Sequence, residues 1–391
     1  SITCRDISKT VFDKRLIHSS RAFNTSGSNF RSRQFLYGGR LTTTVMSVVQ
    51  DQFYEFHRNI KLDLEDHQEL IKKRDAMIKE IRNYLKKKSE DEKSDLITFS
   101  EFNQGSYSMG TGVAPIDDEQ DYDIDVGLLF DISKDDYDPI EVKKWVFEAL
   151  DAKQFRKVIW KKPCIRVQYY EEGTPRFHLD FAVYSAPGQN YGSKTYLAKG
   201  KPDSPKDQKI WEESEPKRLK DLVEGKFQDT ESRKQFKRSI RYYKRWRDNK
   251  FNSLNGRPTG IALTALALKG FVPKTRDYFT NEEKIDDLSA LIEFTDFIIR
   301  QFSWFDGRIS VELPVPPYND LFAKMTDNQC KDFKERLQNL LANLKKAKDE
   351  SDPHEACKIL KREFGDDFPV PAKESTGQYR RAAVVGTSES A

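Results

Sequence analysis

The alternating aspartates Asp121, Asp123 and Asp125 constrain the fold of this chain more than any other feature. They are separated by hydrophobic residues, and a mostly apolar run over 126–130 follows them directly. Alternate residues of a strand share a face, so Asp123 and Asp125 are predicted to lie side by side on one strand. Two adjacent carboxylates resist ionising together when they are buried. A divalent cation with a preference for hard oxygen ligands removes that conflict, and Mg²⁺ bound by carboxylates and substrate phosphates has this chemistry.

A third acid, Asp180, lies alone inside the apolar segment 177–184. A buried aspartate without a partner is costly, so Asp180 needs one. A metal shared with Asp123 and Asp125 would supply it, and a salt bridge to Arg166 is the alternative. Two ions about 3.5–4 Å apart can hold both the attacking and the leaving oxygen of a displacement at phosphorus. The three acids therefore predict two Mg²⁺ or Mn²⁺ ions per site, and the neighbouring His178 is predicted to be half-exposed.

The pair Gly105-Ser106 precedes the acids and suits the other half of such a reaction. Glycine lets the backbone approach a phosphate closely, and a serine hydroxyl with nearby amides can donate hydrogen bonds to it. Alone, Gly-Ser is typical of a plain turn. Followed by the paired acids and an apolar strand, it predicts a phosphate-binding turn.

The composition limits the classes of partner. The 391 residues are 37% hydrophobic, enough for one large bilobal domain or two ordinary ones. Lys and Arg number 67 against 63 Asp and Glu, and a net charge of +4 gives no reason to expect nucleic acid as a partner. No apolar run approaches the length of a membrane span, so we expect no membrane contact. The four cysteines are scattered with no CxxC pair, which favours a reducing, cytoplasmic location.

Strands dominate the first half of the chain and helices the second, which predicts an α+β fold with a mixed sheet, a helical C-terminal lobe and a cleft between them. Strands are predicted at 96–102, 123–130, 164–170 and 177–184, with a hairpin turn at 171–175. Helical spacing is seen at about 48–88, 231–249, 259–269, 286–302, 328–348 and 353–363, and residues 145–150 belong to another predicted helix. The expected organisation is a leader or disordered extension at 1–45, a catalytic core with a long N-terminal helix at 46–205, a helical lobe at 206–371, and a flexible tail at 372–391.

The helix predicted at 231–249 combines an apolar stripe with a basic face formed by Lys237, Arg241 and Lys244. An ordinary solvated face explains most of these charges. A platform for nucleic acid is the alternative.

The order of these motifs resembles that of the DNA polymerase β-like nucleotidyltransferases, and in particular the bacterial cGAS/DncV-like nucleotidyltransferases. Each motif is short, but their joint order over roughly 53–371 is specific. The motifs that carry the resemblance are Gln104-Gly105-Ser106, Asp123-Ile124-Asp125, Cys164-Ile165-Arg166-Val167, Asp180, Ser214-Glu215-Pro216-Lys217, Tyr242-Tyr243-Lys244-Arg245-Trp246-Arg247-Asp248, Pro258-Thr259-Gly260 and Phe364-Gly365-Asp366-Asp367-Phe368-Pro369.

The resemblance implies a role for each residue of the site. Gly105 and Ser106 would hold a triphosphate, with Gln104 and the stretch from Tyr107 to Met109 lining the pocket. Arg166 would contact a nucleotide, and the far side of the cleft would be lined by Ser214, Lys244, Thr259 and Gly260. The sequence departs from the DncV pattern at Met109, where a tyrosine is expected, which leaves the choice of base open.

The resemblance also implies a function: synthesis of a cyclic di- or trinucleotide second messenger from ATP and/or GTP, in anti-phage (CBASS) signalling through a downstream effector. A linear oligonucleotide synthetase or RNA nucleotidyltransferase of the same superfamily is one alternative. A catalytically idle binding scaffold is another. In some members of the family an E1/E2-like partner conjugates the C-terminal residue, here Ala391, although a plain disordered end explains the tail equally well.

Overall fold

The computed structural model describes residues 49–62, 68–116, 122–151, 156–171, 174–189, 194–253, 256–273 and 285–373. The expected leader at 1–45 and nearly all of the expected tail, including Ala391, lie outside these residues.

A seven-stranded mixed sheet forms the first half of the described chain. The strands are β1 (Phe99–Asn103), β2 (Tyr122–Phe130), β3 (Arg156–Trp160), β4 (Ile165–Glu171), β5 (Thr174–Ser185), β6 (Tyr196–Lys199) and β7 (Ile210–Glu213). They follow the order β1-β2-β5-β4-β3, and β6 pairs with both β5 and β7. The central pair β2 and β5 is parallel, and the other pairs are antiparallel.

The helices fall into two groups by the core that they join. Two of them, α2 (Gln68–Glu92) and α4 (Pro139–Leu150), bury apolar residues in one core with the central strands. The short α3 (Gly105–Ser108) lies between β1 and β2. The others are α1 (Gln50–Ile60), α5 (Pro216–Glu224), α6 (Thr230–Lys250), α7 (Gly260–Gly270), α8 (Asp287–Arg300), α9 (Asp327–Asp349) and α10 (Pro353–Phe364).

The helical core is rich in aromatic residues and is built around α6. Tyr242 stacks on Phe56 of α1 with ring centroids 5.2 Å apart, and its hydroxyl donates to Asp287 at 3.0 Å. Tyr242 is fully buried, so the hydroxyl needs this acceptor. The predicted apolar stripe of α6 is confirmed, since Phe236, Ile240 and Tyr243 are buried.

The predicted α+β class and the main elements are confirmed, with one correction at the N-terminal end. The stretch 48–88, predicted as one helical run, contains two helices. The first ends at Ile60 because Lys61 turns to extended backbone and forms a bridge with Val113. The residues of α1 pack in the helical core and not with the sheet. Five of the described elements were not predicted: α3, β3, β6, β7 and α5.

No helix among the described residues is both long enough and apolar enough to cross a membrane.

Candidate functional site

Two of the three predicted acids lie on neighbouring strands at the centre of the sheet. Asp125 of β2 is directly opposite Asp180 of β5, and Asp180 is directly opposite Arg166 of β4. Residues opposite one another in a sheet project from the same face, so the three side chains form a row across three strands. Asp123 pairs with His178 in the same register, and its side chain lies outside the described part of the chain.

Asp180 is held by a bidentate ion pair with Arg166, the alternative that the sequence left open. The Arg166 Nε and Nη2 atoms each donate to one carboxylate oxygen at 2.7 Å. These two nitrogens face Asp180 and fix its orientation, and the nucleotide contact of Arg166 stays a prediction. Each carboxylate oxygen has a second lone pair, so the ion pair leaves Asp180 able to bind a cation as well.

The turn at Gly105 lies directly against Asp125. Gly105 has a φ of +68°, and a Cβ added to it would lie 1.9 Å from the Asp125 Oδ2 atom. The Gln104 amide donates to the Asp125 carbonyl at 3.0 Å. A phosphate bound at the turn would therefore meet a carboxylate that can share a metal with it.

The short helix α3 sits between the two apolar cores. Tyr107 packs against the sheet core, whereas Met109 is 5% exposed and belongs to the helical core. The side chain of Met109, which was predicted to line the nucleotide pocket, thus packs in the helical core. Ser106 is partly exposed, and its carbonyl accepts from the Thr111 amide at 2.9 Å.

Tyr184 is a site residue that the sequence reasoning missed. Its hydroxyl donates to the Gln104 Oε1 atom at 2.8 Å and also contacts Ser214. Burial raises the pKa of Tyr184, and the Asp125 carboxylate raises it further, so the hydroxyl stays protonated. The signal was present in the sequence, because Tyr184 is four residues after Asp180 on the same strand and shares its face.

Lys244 lies beside Gly260, the first residue of α7, and Thr259 immediately precedes that helix. Lys244 is 5% exposed, and its amine donates to the Thr111 carbonyl at 2.9 Å. A Cβ on Gly260 would lie 3.3 Å from the Lys244 Cε atom, and Thr259 caps α7 by accepting from the Ala262 amide at 3.2 Å. Burial lowers the pKa of Lys244 to about 7, Arg247 and Arg241 lower it further, and Asp248 and Asp125 partly oppose the shift.

Two expectations about solvent exposure were wrong. Arg241, assigned to a solvated helix face, is 6% exposed, and its guanidinium donates to the Gly112 carbonyl at 3.0 Å. His178, expected to be half-exposed, is 9% exposed. Both errors have one cause, since a buried polar side chain with its own partners has the same sequence signature as an exposed one.

No cluster of three or more His, Cys, Asp or Glu side chains suited to a metal is found among the described residues. The predicted set of three includes Asp123, whose side chain is not among those that the structure describes. Asp125 and Asp180 nevertheless supply carboxylate oxygens from adjacent strands, which is the donor chemistry that Mg²⁺ and Mn²⁺ prefer.

Comparison with known proteins agrees with this geometry. Residues 100–184, which contain the Gly-Ser turn and all three acids, match the family model described as "Cyclic GMP-AMP synthase DncV-like, nucleotidyltransferase domain". A cyclic GMP-AMP synthase of Escherichia albertii is 29% identical over 153 residues, 37% of this chain. The match spans only 30% of that relative.

Solved structures of DncV from Vibrio cholerae have the same fold. The apo form gives a TM-score of 0.63 at 17% identity, covering 81% of this chain and 96% of the DncV chain. The complex with the linear intermediate 5′ pppA(3′,5′)pG gives a TM-score of 0.61 at 18% identity over the same shares. At such identities the likeness concerns the fold. Residues 100–184 thus resemble the nucleotidyltransferase domain of the DncV-like family, within the fold that the DncV structures share.

Proposed function

We propose that this chain is a metal-dependent nucleotidyltransferase that joins ATP and/or GTP into a cyclic di- or trinucleotide. The observation that carries the proposal is the contact between the turn at Gly105 and the neighbouring carboxylates Asp125 and Asp180. The Asp125 carboxylate lies against Gly105, and Asp180 lies opposite Asp125 on the next strand. A triphosphate on the turn and a hydroxyl near Asp180 would then be close enough to react.

The residues fit the metals that the family implies. Asp123, Asp125 and Asp180 would hold two Mg²⁺ or Mn²⁺ ions, with triphosphate oxygens completing the ligand set. When bound, the ions would neutralise charge on the triphosphate and favour ionisation of the attacking ribose hydroxyl.

The protein's own residues bind and orient the reactants. Gly105 and the Ser106 hydroxyl would bind the triphosphate, with Gln104 held beside them by Tyr184. Asp180, oriented by Arg166, would take part in accepting the proton of the attacking ribose hydroxyl. The new bond joins that ribose oxygen to the α-phosphorus of the second nucleotide, and pyrophosphate leaves with the electrons of the broken P–O bond. Most of the rate enhancement in such a site comes from positioning and charge neutralisation.

The relatives support a cyclic product. The curated relative is a cyclic GMP-AMP synthase, and DncV is described as a cyclic AMP-GMP synthase with structures holding ATP and GTP or a linear intermediate. A linear intermediate means that the DncV site performs two successive transfers, the second of which closes the ring. We extend this sequence of steps to the present chain.

A linear oligonucleotide synthetase with the same site is the competing function, and the product distinguishes the two. The full chain is incubated with ATP, GTP and Mg²⁺ or Mn²⁺, the mixture is treated with phosphatase, and the masses of the products are measured by mass spectrometry. A cyclic product keeps its full mass because it has no terminal phosphate. Products whose terminal phosphates are all released would identify a linear synthetase, and unchanged NTPs would identify a binding scaffold.

The wider role follows from the family resemblance. A cyclic product would act on a downstream effector in anti-phage (CBASS) signalling in the cytoplasm. The C-terminal Ala391, outside the described residues, would be joined to a target by an E1/E2-like partner. Co-expression with such a partner and intact-mass measurement tests the last point, and an unmodified chain would exclude it.

A further inference from the structure

Segment 111–116 follows the phosphate turn, and its backbone carbonyls are bound by cations of α6. Lys244 donates to the Thr111 carbonyl, Arg241 donates to the Gly112 carbonyl at 3.0 Å, and Arg245 donates to the Ala114 carbonyl at 2.9 Å. Lys244 and Arg245 follow Arg241 by three and four residues along α6, so all three cations lie on the same side of the helix.

Burial makes these contacts energetically important. Arg241 is 6% exposed and Arg245 is 1% exposed. A buried guanidinium that loses its acceptors is costly, so the carbonyls and the arginines hold each other in place. Arg245 also pairs with Asp367 at 3.2 Å, near the end of the described chain.

Arg241 also contacts α1. Its Nη1 atom lies 3.0 Å from the His57 Nε2 atom. Burial and the neighbouring arginines lower the pKa of His57 to about 3, so the imidazole is neutral at ordinary pH. The Arg241 guanidinium therefore connects the Gly112 carbonyl to the neutral His57 ring.

Segment 111–116 is connected to the phosphate turn by a backbone hydrogen bond. The Thr111 amide donates to the Ser106 carbonyl at 2.9 Å, and Thr111 itself is fully buried. The Ala114 amide donates to the Ile60 carbonyl at 2.9 Å, which ties the same segment to the end of α1. Movement of the segment would therefore move Ser106.

We infer that Arg241 and Arg245 are positioning residues for the nucleotide site, which hold segment 111–116 in place and act on the triphosphate through the turn at Ser106. Neither arginine has to touch the nucleotide. The inference rests on the proposed function for its effect on nucleotide, but its structural basis can be tested without any turnover.

The first arm of the test is amide hydrogen exchange of the full chain. In Arg241→Met and in Arg245→Met, exchange over 105–116 should accelerate about tenfold or more, while the central strands stay protected. Arg238→Met is the matched control. Arg238 lies on the same helix and is 5% exposed, but it pairs with Asp287 of α8. Its loss should destabilise the helical core and leave exchange at 105–116 no faster than elsewhere in that core.

The second arm is the nucleotide itself. Arg241→Met and Arg245→Met should raise the KM for ATP or GTP about tenfold, with a smaller effect on kcat, and Arg238→Met should leave KM unchanged. If the chain turns over no nucleotide, calorimetric affinity for a non-hydrolysable ATP analogue replaces KM. Unchanged exchange over 105–116, or equal effects of the Arg241 and Arg238 variants on affinity, would overturn the inference. Should Arg241→Met fail to fold, Arg241→Lys takes its place under the same two criteria.

Discussion

The contact between Gly105 and Asp125 sets the geometry of the site at the residue scale. Gly105 needs a positive φ to make its turn, and it also lacks the Cβ atom that would collide with the Asp125 carboxylate. Two independent requirements therefore exclude any other residue at this position.

Gly105→Ala should remove both activity and part of the stability. The strained φ is expected to cost about 1–2 kcal/mol, and displacement of the Asp125 carboxylate should lower turnover at least about tenfold. Gly307→Ala is the matched control, since Gly307 has a φ of +69° and open space around the added Cβ. Thermal unfolding measures the loss of stability, and product assays measure the loss of turnover. Normal turnover in Gly105→Ala would contradict the geometry described here.

Lys244 should give the stability of the protein a recognisable pH dependence. Burial lowers the pKa of Lys244 to about 7 in the folded state, from 10.5 in the unfolded chain. Between these values the unfolded state binds one more proton than the folded state, so stability rises with pH through this window, by up to about 1.4 kcal/mol per pH unit. Below pH 7 both states carry the proton and the full cost of burying the charge remains.

Denaturant unfolding of the wild type and Lys244→Met measures this dependence. The difference in free energy of unfolding between them should shift in favour of the wild type as pH rises from 7 towards 10. Parallel curves for the two proteins over this window would show that the Lys244 pKa is not depressed.

At the scale of the elements, β2 carries a second requirement for glycine just beyond the acids. A Cβ on Gly127 would lie 2.2 Å from the Phe102 ring, which packs against Tyr184 with centroids 5.8 Å apart. Tyr184 in turn holds Gln104. The close approach of β1 to β2 is thus connected to the phosphate turn.

Gly127→Ala should destabilise the protein by about 1–3 kcal/mol through overpacking against Phe102. The double variant Gly127→Ala/Phe102→Ala removes the ring that clashes, so it should be less destabilised than the sum of its two single variants. Chemical denaturation of the four proteins completes the cycle. Additive effects would show that the ring and the glycine do not meet.

The sequence predicted those elements whose periodicity is a local property. The strand over 123–130 and the helix over 231–249 are regular enough to identify without tertiary information. The end of α1 at Ile60 depends on a bridge from Lys61 to Val113, a partner that no local pattern contains. The short strands β6 and β7 were missed because four residues carry too little alternation to distinguish them from loop.

The same limit explains which parts of the site were predicted. Alternation along one strand places Asp123 and Asp125 together, and the resemblance indicated Gly105 and Lys244. Pairing across strands gave Asp180 the neighbour Arg166, which the sequence offered only as an alternative to a shared metal. The burial of Met109 and Arg241 depends on α6 approaching segment 111–116, a packing arrangement that sequence spacing does not encode.

For the whole molecule, the arrangement of the two cores around α3 explains why the chemistry lies where it does. Tyr107 joins the sheet core and Met109 joins the helical core, so the phosphate turn is supported from both sides. The sheet supplies the acids, and α6 and α7 supply Lys244 and Gly260.

Product formation by variants of the three aspartates Asp123, Asp125 and Asp180 tests the central claim most directly. Wild type, Asp123→Asn, Asp125→Asn and Asp180→Asn are incubated with ATP, GTP and Mg²⁺ or Mn²⁺, with Asp131→Asn as control, because Asp131 lies just past the end of β2 and is exposed. The account predicts a phosphatase-resistant cyclic product from the wild type and the control. It predicts a loss of at least about a hundredfold in the three aspartate variants, which should remain folded in thermal unfolding. Near-normal turnover by Asp125→Asn or Asp180→Asn with metal present would contradict it.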